Sequence, residues 1–590
     1  MKPEDAQTNK PHESLSTLNR RSFLRTGTAG IGALAASSSG LALNAQAVPS
    51  RSSRPSSFLD LIRTPDSVTV FESFHGPLPA GAIRLQRHGD NWTGGQVAVE
   101  SKVNRDSLVL SLQAPSAPVA LVHVRWHANP SPRLKILGDA WERSYGDLGW
   151  RNIIPERVLP WYFATFDGQF CHAYGVKTDA RALCFWQLDP EGVSLWLNVA
   201  NGGNGVELGQ RVLTMASVVT RHGIGDEPAI DSVAALCKAM CAHPTRSIAP
   251  IYGANDWCYS YGQSTAESIL RDTDFIVSVS PAAGVRPFSV IDGGWTDGTA
   301  AWPDMGKLAA GIKQRNARPG LWIRPLEAPK DASQNLLLLN DRFGPRKNRA
   351  DEYAYDPTVP EAQEKIRAKL HQAVGWGYEM VKHDYSTYDL LGQWGFEMGP
   401  QPTLPGWSLH DRSLTNAEAI AALYALIREA AGDRMIIDGC NTVGHLGQGV
   451  FDLQRIGDDT SGHQWERTRR MGVNTLAFRL PQNGTFFTVD PDLVGITEAV
   501  PWEFNRQWLD VLARSGAATI VSSSPSMRGP EQLAALREAF QLAAAGGTGA
   551  KPIDWMDSST PEHWQPVDAQ NQASHYHWSG PDGASAFLSS

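Results

Sequence analysis

From about Ile248 to the low 520s the chain repeats one pattern: a short apolar run, a polar or charged burst, then an amphipathic stretch. The apolar runs are "APIYGANDW", "PFSVIDGGW", "RPGLWIRPL", "YEMVKHDYS", "RMIIDGCN", "FDLQRIGDD", "GTFFTVDPD" and "AATIVSS". Between them lie segments with helical spacing. Among these are Pro360 to Val374, opened by Asp356-Pro357-Thr358, and "NAEAIAALYALIREAA" from Asn416 to Ala431. Short buried runs joined by helices read as parallel strands, because parallel neighbours need a long crossover. Eight of them over roughly 300 residues predict a (β/α)8 TIM barrel. An open doubly wound sheet shows the same alternation but leads one to expect a Gly-rich phosphate loop after an early strand. "GGTGAK" at Gly546 to Lys551 follows a helical stretch and lacks Ser or Thr after the lysine, so it reads as a linker.

The flanks differ in texture, and 590 residues exceed one ordinary core. Residues 58–245 carry short alternating runs such as "SLVLSLQA", "VALVHVRW" and "VSLWLNVA", punctuated by Gly, Asp, Asn and Pro. They predict an N-terminal β-sandwich, with a helix near Asp231 to Ala242 leading into a barrel over 246–550. Residues 551–590 leave room for a short C-terminal β appendage, with "ASHYHWSG" and "ASAFLSS" as strand candidates.

At the front, Asn19-Arg20-Arg21-Ser22-Phe23-Leu24-Arg25 precedes a weakly apolar Gly/Ala-rich stretch and Ala45-Gln46-Ala47. Residues 1–47 therefore read as a twin-arginine (Tat) export signal, with a Ser/Arg/Pro-rich linker at 48–57. Localisation is expected to be periplasmic or secreted, with no membrane association after signal removal. The net charge of −8 argues against nucleic acid as a partner. Six cysteines permit disulfides in an oxidising compartment, but the density is too low for the fold to need them. Cys237 and Cys241 have helical spacing without a second cluster for zinc. Twenty Trp residues offer flat apolar faces of the kind that bind sugar rings.

In a (β/α)8 barrel the active site lies at the C-terminal strand ends. In strand order these ends supply Asn255, Asp256 and Trp257, then Asp292, Trp322 and Arg324, Lys382 and Asp384, and Asp438, Cys440 and Asn441. Arg455, Asp458 and Asp459 follow, then Asp490 and Asp492. This ring of carboxylates, cations and Trp has no His pair at metal-ligand spacing and no G-x-S-x-G elbow. It suits glycoside hydrolysis, which needs one carboxylate at the anomeric carbon and a second to protonate the leaving oxygen. Lys382 lies two residues before Asp384 on the same strand face, where it favours the ionised nucleophile. Asp458 beside Asp459 is expected to raise the acid's pKa.

These residues carry a resemblance. The chain from about 250 to 500 resembles the melibiase-like α-galactosidases of glycoside hydrolase clan D and their raffinose-synthase relatives. "NDWCYSYG" is similar to their W-C-S/T-W element, "VIDGGW" to I-D-D-G-W and "PGLWIRP" to G-L-W-x-x-P. "VKHDYS" is similar to their nucleophile-bearing K-x-D. "GCNTVGHLGQGVFDLQRIGDD" is similar to their Gly-Cys segment with the acid/base R-x-x-x-D, and "TFFTVDPDLV" to N-D-P-D. "DAWERSYGDLGW" stands where these enzymes often carry a Trp-rich loop reaching the barrel mouth. The resemblance implies Asp384 as nucleophile and Asp459 as acid/base of a retaining mechanism. It implies Asp292, Lys382, Arg455, Arg324, Asn441 and Asp458 as substrate-binding residues and Trp257 and Trp322 as pocket walls. It implies an oligosaccharide or glycoside as substrate, and neither metal nor organic cofactor.

Two departures stand out. Gly293 replaces the second Asp of the family's pair, which grips the hydroxyls around C4 and C6 of galactose. The expected −1 sugar then extends to β-L-arabinopyranose or a substituted galactose, with Arg324 or Asp256 in a position to compensate. The residues after Lys551 are also fewer than the relatives' longer C-terminal β domain. Transglycosylation on the same fold, and a non-catalytic carbohydrate-binding protein that kept the pocket, are the alternative readings. Alternation turns His383 away from Asp384, so it is expected to pack under a helix. His445 and His463 are expected to be solvated, with His445 placed to line the site, and Arg469-Arg470 to form a helix face. Asp490 and Asp492 are expected to bind loop amides.

Overall fold

The computed structural model describes residues 57–246, 248–297, 300–346, 353–567 and 572–586. The expected export signal and all but the last residue of the linker lie outside them. No helix among the described residues is long and apolar enough to cross a membrane.

Two antiparallel sheets of six and eight strands form the front layer. Alternation sets their shared core. "SVTVFESFH" (Ser67–His75) buries Val68 and Val70, and "LVLSLQ" (Leu108–Gln113) buries Leu108, Leu110 and Leu112. Strand Cys171–Val176 is buried on both faces. Helix Ala229–Met240 covers its outer side with Ile230, Val233, Leu236 and Met240. Gly175 permits that approach, since a Cβ there would sit 2.2 Å from the Met240 sulfur.

All eight expected barrel strands form and pair in parallel: Tyr252–Asn255, Phe288–Ile291, Arg318–Ile323, Met380–His383, Ile436–Gly439, Leu453–Arg455, Thr488–Asp490 and Thr519–Ser523. The seventh is split. Thr488–Asp490 ladders with strand six, and after Pro491 and Asp492 (φ 72°) a further piece, Leu493–Ile496, ladders with strand eight. Strand eight pairs with strand one, so the ladder runs from the second piece round to the first, and the two pieces meet through the chain at Pro491-Asp492. Where the second piece leaves strand six, side chains bridge the gap. Asp492 accepts from the Thr460 amide at 2.7 Å, and the Thr460 hydroxyl reaches the Leu493 carbonyl at 2.9 Å.

Inside the barrel, Ile251, Phe288, Val290, Met380, Ile436, Leu453, Leu493 and Ile520 form an apolar plug. One layer nearer the C-terminal ends the lining turns polar, and register aligns Trp322, Lys382 and Asp438 on strands three to five. Helix Asn416–Ala431 has the expected bounds, fixed by a Thr415/Glu418 capping box. Helix Pro360–Trp376 runs two residues past expectation to Gly377, whose φ of 89° ends it. Three short strands, Lys551–Pro552, His563–Gln565 and Ser574–His575, make the C-terminal sheet. "ASAFLSS" contributes no strand over 584–586, and its last four residues lie outside the described region.

Much of the Trp surplus is core: Trp126, Trp161, Trp186, Trp407, Trp508, Trp564 and Trp578 are each below 2 % exposed. The six cysteines are free thiols.

Candidate active site

Asp384 directly follows strand four. Its Oδ1 accepts from the amides of Tyr385 (2.7 Å) and Asn441 (3.1 Å), and its Oδ2 from Trp322 Nε1 (2.9 Å). Tyr385 adopts φ 65°, a conformation costly for a non-glycine residue, and the turn folds its amide back onto the carboxylate. Burial pushes the Asp384 pKa up. The charges of Arg143 and Lys382 and the Trp322 N–H outweigh this and hold it below the usual range.

Lys382 does not touch Asp384. Its Nζ lies 2.7 Å from Asp292 Oδ2, which also accepts from Asn255 Nδ2 at 2.7 Å. Asp256 accepts from the Asp292 amide. Burial and the neighbouring Asp292 charge raise the Asp256 pKa to about 6. Gly293 follows, with no positive φ. Among the described residues a Cβ there would meet Trp257 Cζ3 alone, at 3.7 Å. Its glycine leaves open space beside the Trp257 ring.

Asp459 stands at the end of strand six with its side chain 44 % exposed. Its Oδ1 is 3.0 Å from Arg455 Nη2 and 3.4 Å from Arg143 Nη1. Arg455 itself is buried, with its Nη1 3.0 Å from Asp492 Oδ1. The expectation that Asp458 raises the Asp459 pKa is corrected. Burial does push Asp459 upward, but Arg455, Arg143 and Lys382 pull it well below the usual carboxylate range. Asp458 turns instead to Arg467 (2.8 Å) and Arg143 (3.3 Å). Adjacency in sequence did not mean adjacency of charge without compensation.

Other expected substrate contacts are engaged within the protein. Arg324 forms a two-pronged ion pair with buried Asp389 and lies 4.5 Å over the Tyr385 ring. Asn441 meets Asp384 through its backbone, while its side chain accepts from the Tyr388 amide and donates to Glu142. Asp490 and Asp492 bind amides, those of Asp492 and Thr460 respectively. Burial and the nearby Asp490 charge push the Asp438 pKa well up.

His383 is fully buried against Tyr424 and Phe451, and desolvation drops its pKa to about 3. His445, expected in solvent, is instead buried and stacked on Trp161 at 4.3 Å. His463 is exposed and stacks on Tyr261.

The residues the sequence did not single out are Glu142 and Arg143, from the front-layer loop "DAWERSYGDLGW". Ser144 pairs in parallel with Gly457, so the loop extends the end of strand six. Arg479 anchors it, 2.7 Å from Asp139 and 2.6 Å from the Glu142 carbonyl. Arg143 then reaches both Asp458 and Asp459, and Glu142 accepts from Tyr145 and the Gly395 amide. Burial raises the Glu142 pKa against the pull of Arg143. A Glu-Arg pair inside a Trp-flanked loop was the available signal.

No family model matches the chain, and no curated protein matches it by sequence. Solved structures do. An α-galactosidase from Thermus thermophilus, in complex with p-nitrophenyl α-D-galactopyranoside, superposes with a TM-score of 0.56 at 18 % identity, over 82 % of this chain and 97 % of that one. A second structure of that enzyme, with stachyose, gives 0.51 at 19 % identity over 75 % and 96 %. A family 36 α-galactosidase from Geobacillus stearothermophilus, with raffinose, gives 0.53 at 11 % identity over 86 % and 77 %. The fold, β-sandwich plus barrel, is that of the family 36 α-galactosidases of glycoside hydrolase clan D.

Proposed function

We propose that the chain is a retaining exo-glycosidase acting on α-galactoside-like linkages of an oligosaccharide or glycoside. The observation that carries this reading is the pair Asp384 and Asp459, at the ends of strands four and six and within reach of one another's charge. Their surroundings differ in the way double displacement requires. Asp384 is gripped by three N–H donors and kept ionised, as a nucleophile must be. Asp459 has a side chain 44 % exposed, so on this reading it can serve as acid and then as base. In the first step Asp384 attacks the anomeric carbon and Asp459 protonates the leaving oxygen. In the second, Asp459 takes a proton from water, which displaces Asp384. On this reading Lys382, Asp292 and the Trp257 and Trp322 rings would hold the sugar. The sugar ligands bound by the structural neighbours support this substrate class.

Asp384→Ala is expected to lower turnover on the order of 10⁴- to 10⁶-fold. Asp459→Ala is expected to spare substrates with good leaving groups. Wild-type-like activity in Asp384→Ala would sink the assignment. The −1 sugar is read from a panel of aryl α-galactoside, β-L-arabinopyranoside, α-N-acetylgalactosaminide and α-glucoside, and transglycosylation from products formed with an acceptor sugar present. A second reading, a carbohydrate-binding protein without turnover, rests on one observation: Asp459 is held ionised between two guanidinium groups. Sugar binding with no hydrolysis across the panel would favour it. Export by the twin-arginine route belongs to the same proposal, on Arg20-Arg21 and Ala45-Gln46-Ala47. Retention of an Arg20→Lys/Arg21→Lys variant in the cytoplasm, with the wild type exported and trimmed after Ala47, is the expected result.

A further inference from the structure

The C-terminal sheet carries a cluster that the glycosidase reading does not use. Strand alternation sends Trp564, Tyr576 and Trp578 into the core and leaves His563, His575 and His577 on the outer face. His563 and His575 are direct cross-strand partners, with rings stacked at 4.2 Å. His575 and His577, two residues apart, lie 4.3 Å between ring centroids. The half-buried Glu562 sends its Oε2 to 3.8 Å from His575 Nε2. One ligand atom from each of Glu562, His575 and His577 lies within 4.8 Å of the other two.

We propose that Glu562, His575 and His577 form a binding site for a divalent transition-metal ion of the zinc class, which staples the C-terminal sheet. Two imidazoles and one carboxylate are a ligand set such ions prefer, and a fourth position is left for solvent. Tetrahedral coordination needs ligand atoms roughly 3.3 Å apart, from bond lengths of about 2.0–2.1 Å. The present spacing closes to that by side-chain rotation of exposed imidazoles. The backbone under the site is already fixed. The Tyr576 amide donates to the Glu562 carbonyl at 2.8 Å. Gln507, on helix Trp502–Ser515, clamps both the amide and the carbonyl of His577. The bound ion joins the segment before strand His563–Gln565 to the segment around strand Ser574–His575, and so ties both to that helix.

The test is isothermal titration of the untagged, EDTA-treated full chain with zinc chloride, with cobalt(II) absorption reporting coordination. One saturable equivalent is expected, with the intense d–d bands of four-coordinate cobalt. His575→Ala and His577→Ala each weaken binding at least about tenfold, since loss of an outer-shell partner alone commonly costs 10- to 100-fold. Zinc raises the Tm of the wild type but not of the double variant. All three positions are partly or fully exposed, so the variants fold, and equal Tm values in EDTA check this. Absence of saturable binding, unchanged affinity in the double variant, or a bound ion that leaves Tm unmoved would each overturn the proposal.

Discussion

Replacing Arg143 by Met removes a cation that both catalytic candidates feel, together with its guanidinium contact 5.8 Å from the Trp394 ring centre, while keeping an unbranched side chain. Its Nη1 is 3.4 Å from Asp459 Oδ1, and its charge is the foremost influence holding Asp384 down. Two unit charges about 4 Å apart interact by about 4 kcal/mol at an effective dielectric of 20 and about 1 kcal/mol in water. With Asp459 at 44 % exposure, the pair sits nearer the water limit. A value of about 1.5 kcal/mol corresponds to roughly one pKa unit. The sign is the same for both groups: without the cation each carboxyl holds its proton to higher pH. As the proposed nucleophile Asp384 must be ionised, so the acid limb of kcat/KM moves up. As the proposed acid Asp459 must be protonated, so the alkaline limb moves up too. The assay is a pH profile with an aryl α-galactoside of poor leaving group, where proton donation counts. Both limbs are expected to move toward alkaline pH, the Asp459 limb by about one unit. An unmoved profile, or movement toward acid, would refute the reasoning that Arg143 sets both charges.

Lys382→Met leaves Asp292 buried with Asn255 as its side-chain donor among the described residues, and is expected to cost about 3–5 kcal/mol in urea unfolding. A loss below about 1 kcal/mol would show that the pair carries little. Gly293→Asp places a carboxylate in the space beside Trp257 and restores a charge-assisted contact of roughly 1.5–3 kcal/mol. The preference for α-galactoside over β-L-arabinopyranoside should rise roughly ten- to 150-fold in kcat/KM, and no change would place the discrimination elsewhere. Thr415→Ala removes the N-cap of helix Asn416–Ala431 and should destabilise by about 1 kcal/mol, read from the urea midpoint.

The barrel was legible because its information is local. Each strand is a short apolar run closed by polar residues, and each run from Tyr252 to Ser523 forms where its pattern places it. The second piece of strand seven was not legible. Pro491-Asp492 has the chemistry of a turn, and only the two neighbouring strands make Leu493–Ile496 a continuation of the wall. Site residues at strand ends were likewise readable from position, but their partners were not. Arg143 meets Asp459 across 316 residues, and Glu142 meets Asn441 across 299. Nothing in a sequence pattern marks contacts between layers. Without them, sequence adjacency points to Asp458 as the neighbour that sets the Asp459 pKa, whereas Arg455, Arg143 and Lys382 hold it down.

The split seventh strand ties Asp459 to the barrel wall. At Pro491-Asp492 the wall is held by the Asp492 carboxylate and the Thr460 hydroxyl where a continuous ladder would otherwise run. Both residues are buried, Asp492 at 3 % and Thr460 at 4 % exposure. The same carboxylate holds Arg455, and Arg455 holds Asp459. Displacing the Asp492 carboxylate would therefore reach Asp459 through a single guanidinium group, so the joint in the barrel wall and the placement of the candidate acid/base form one structural unit.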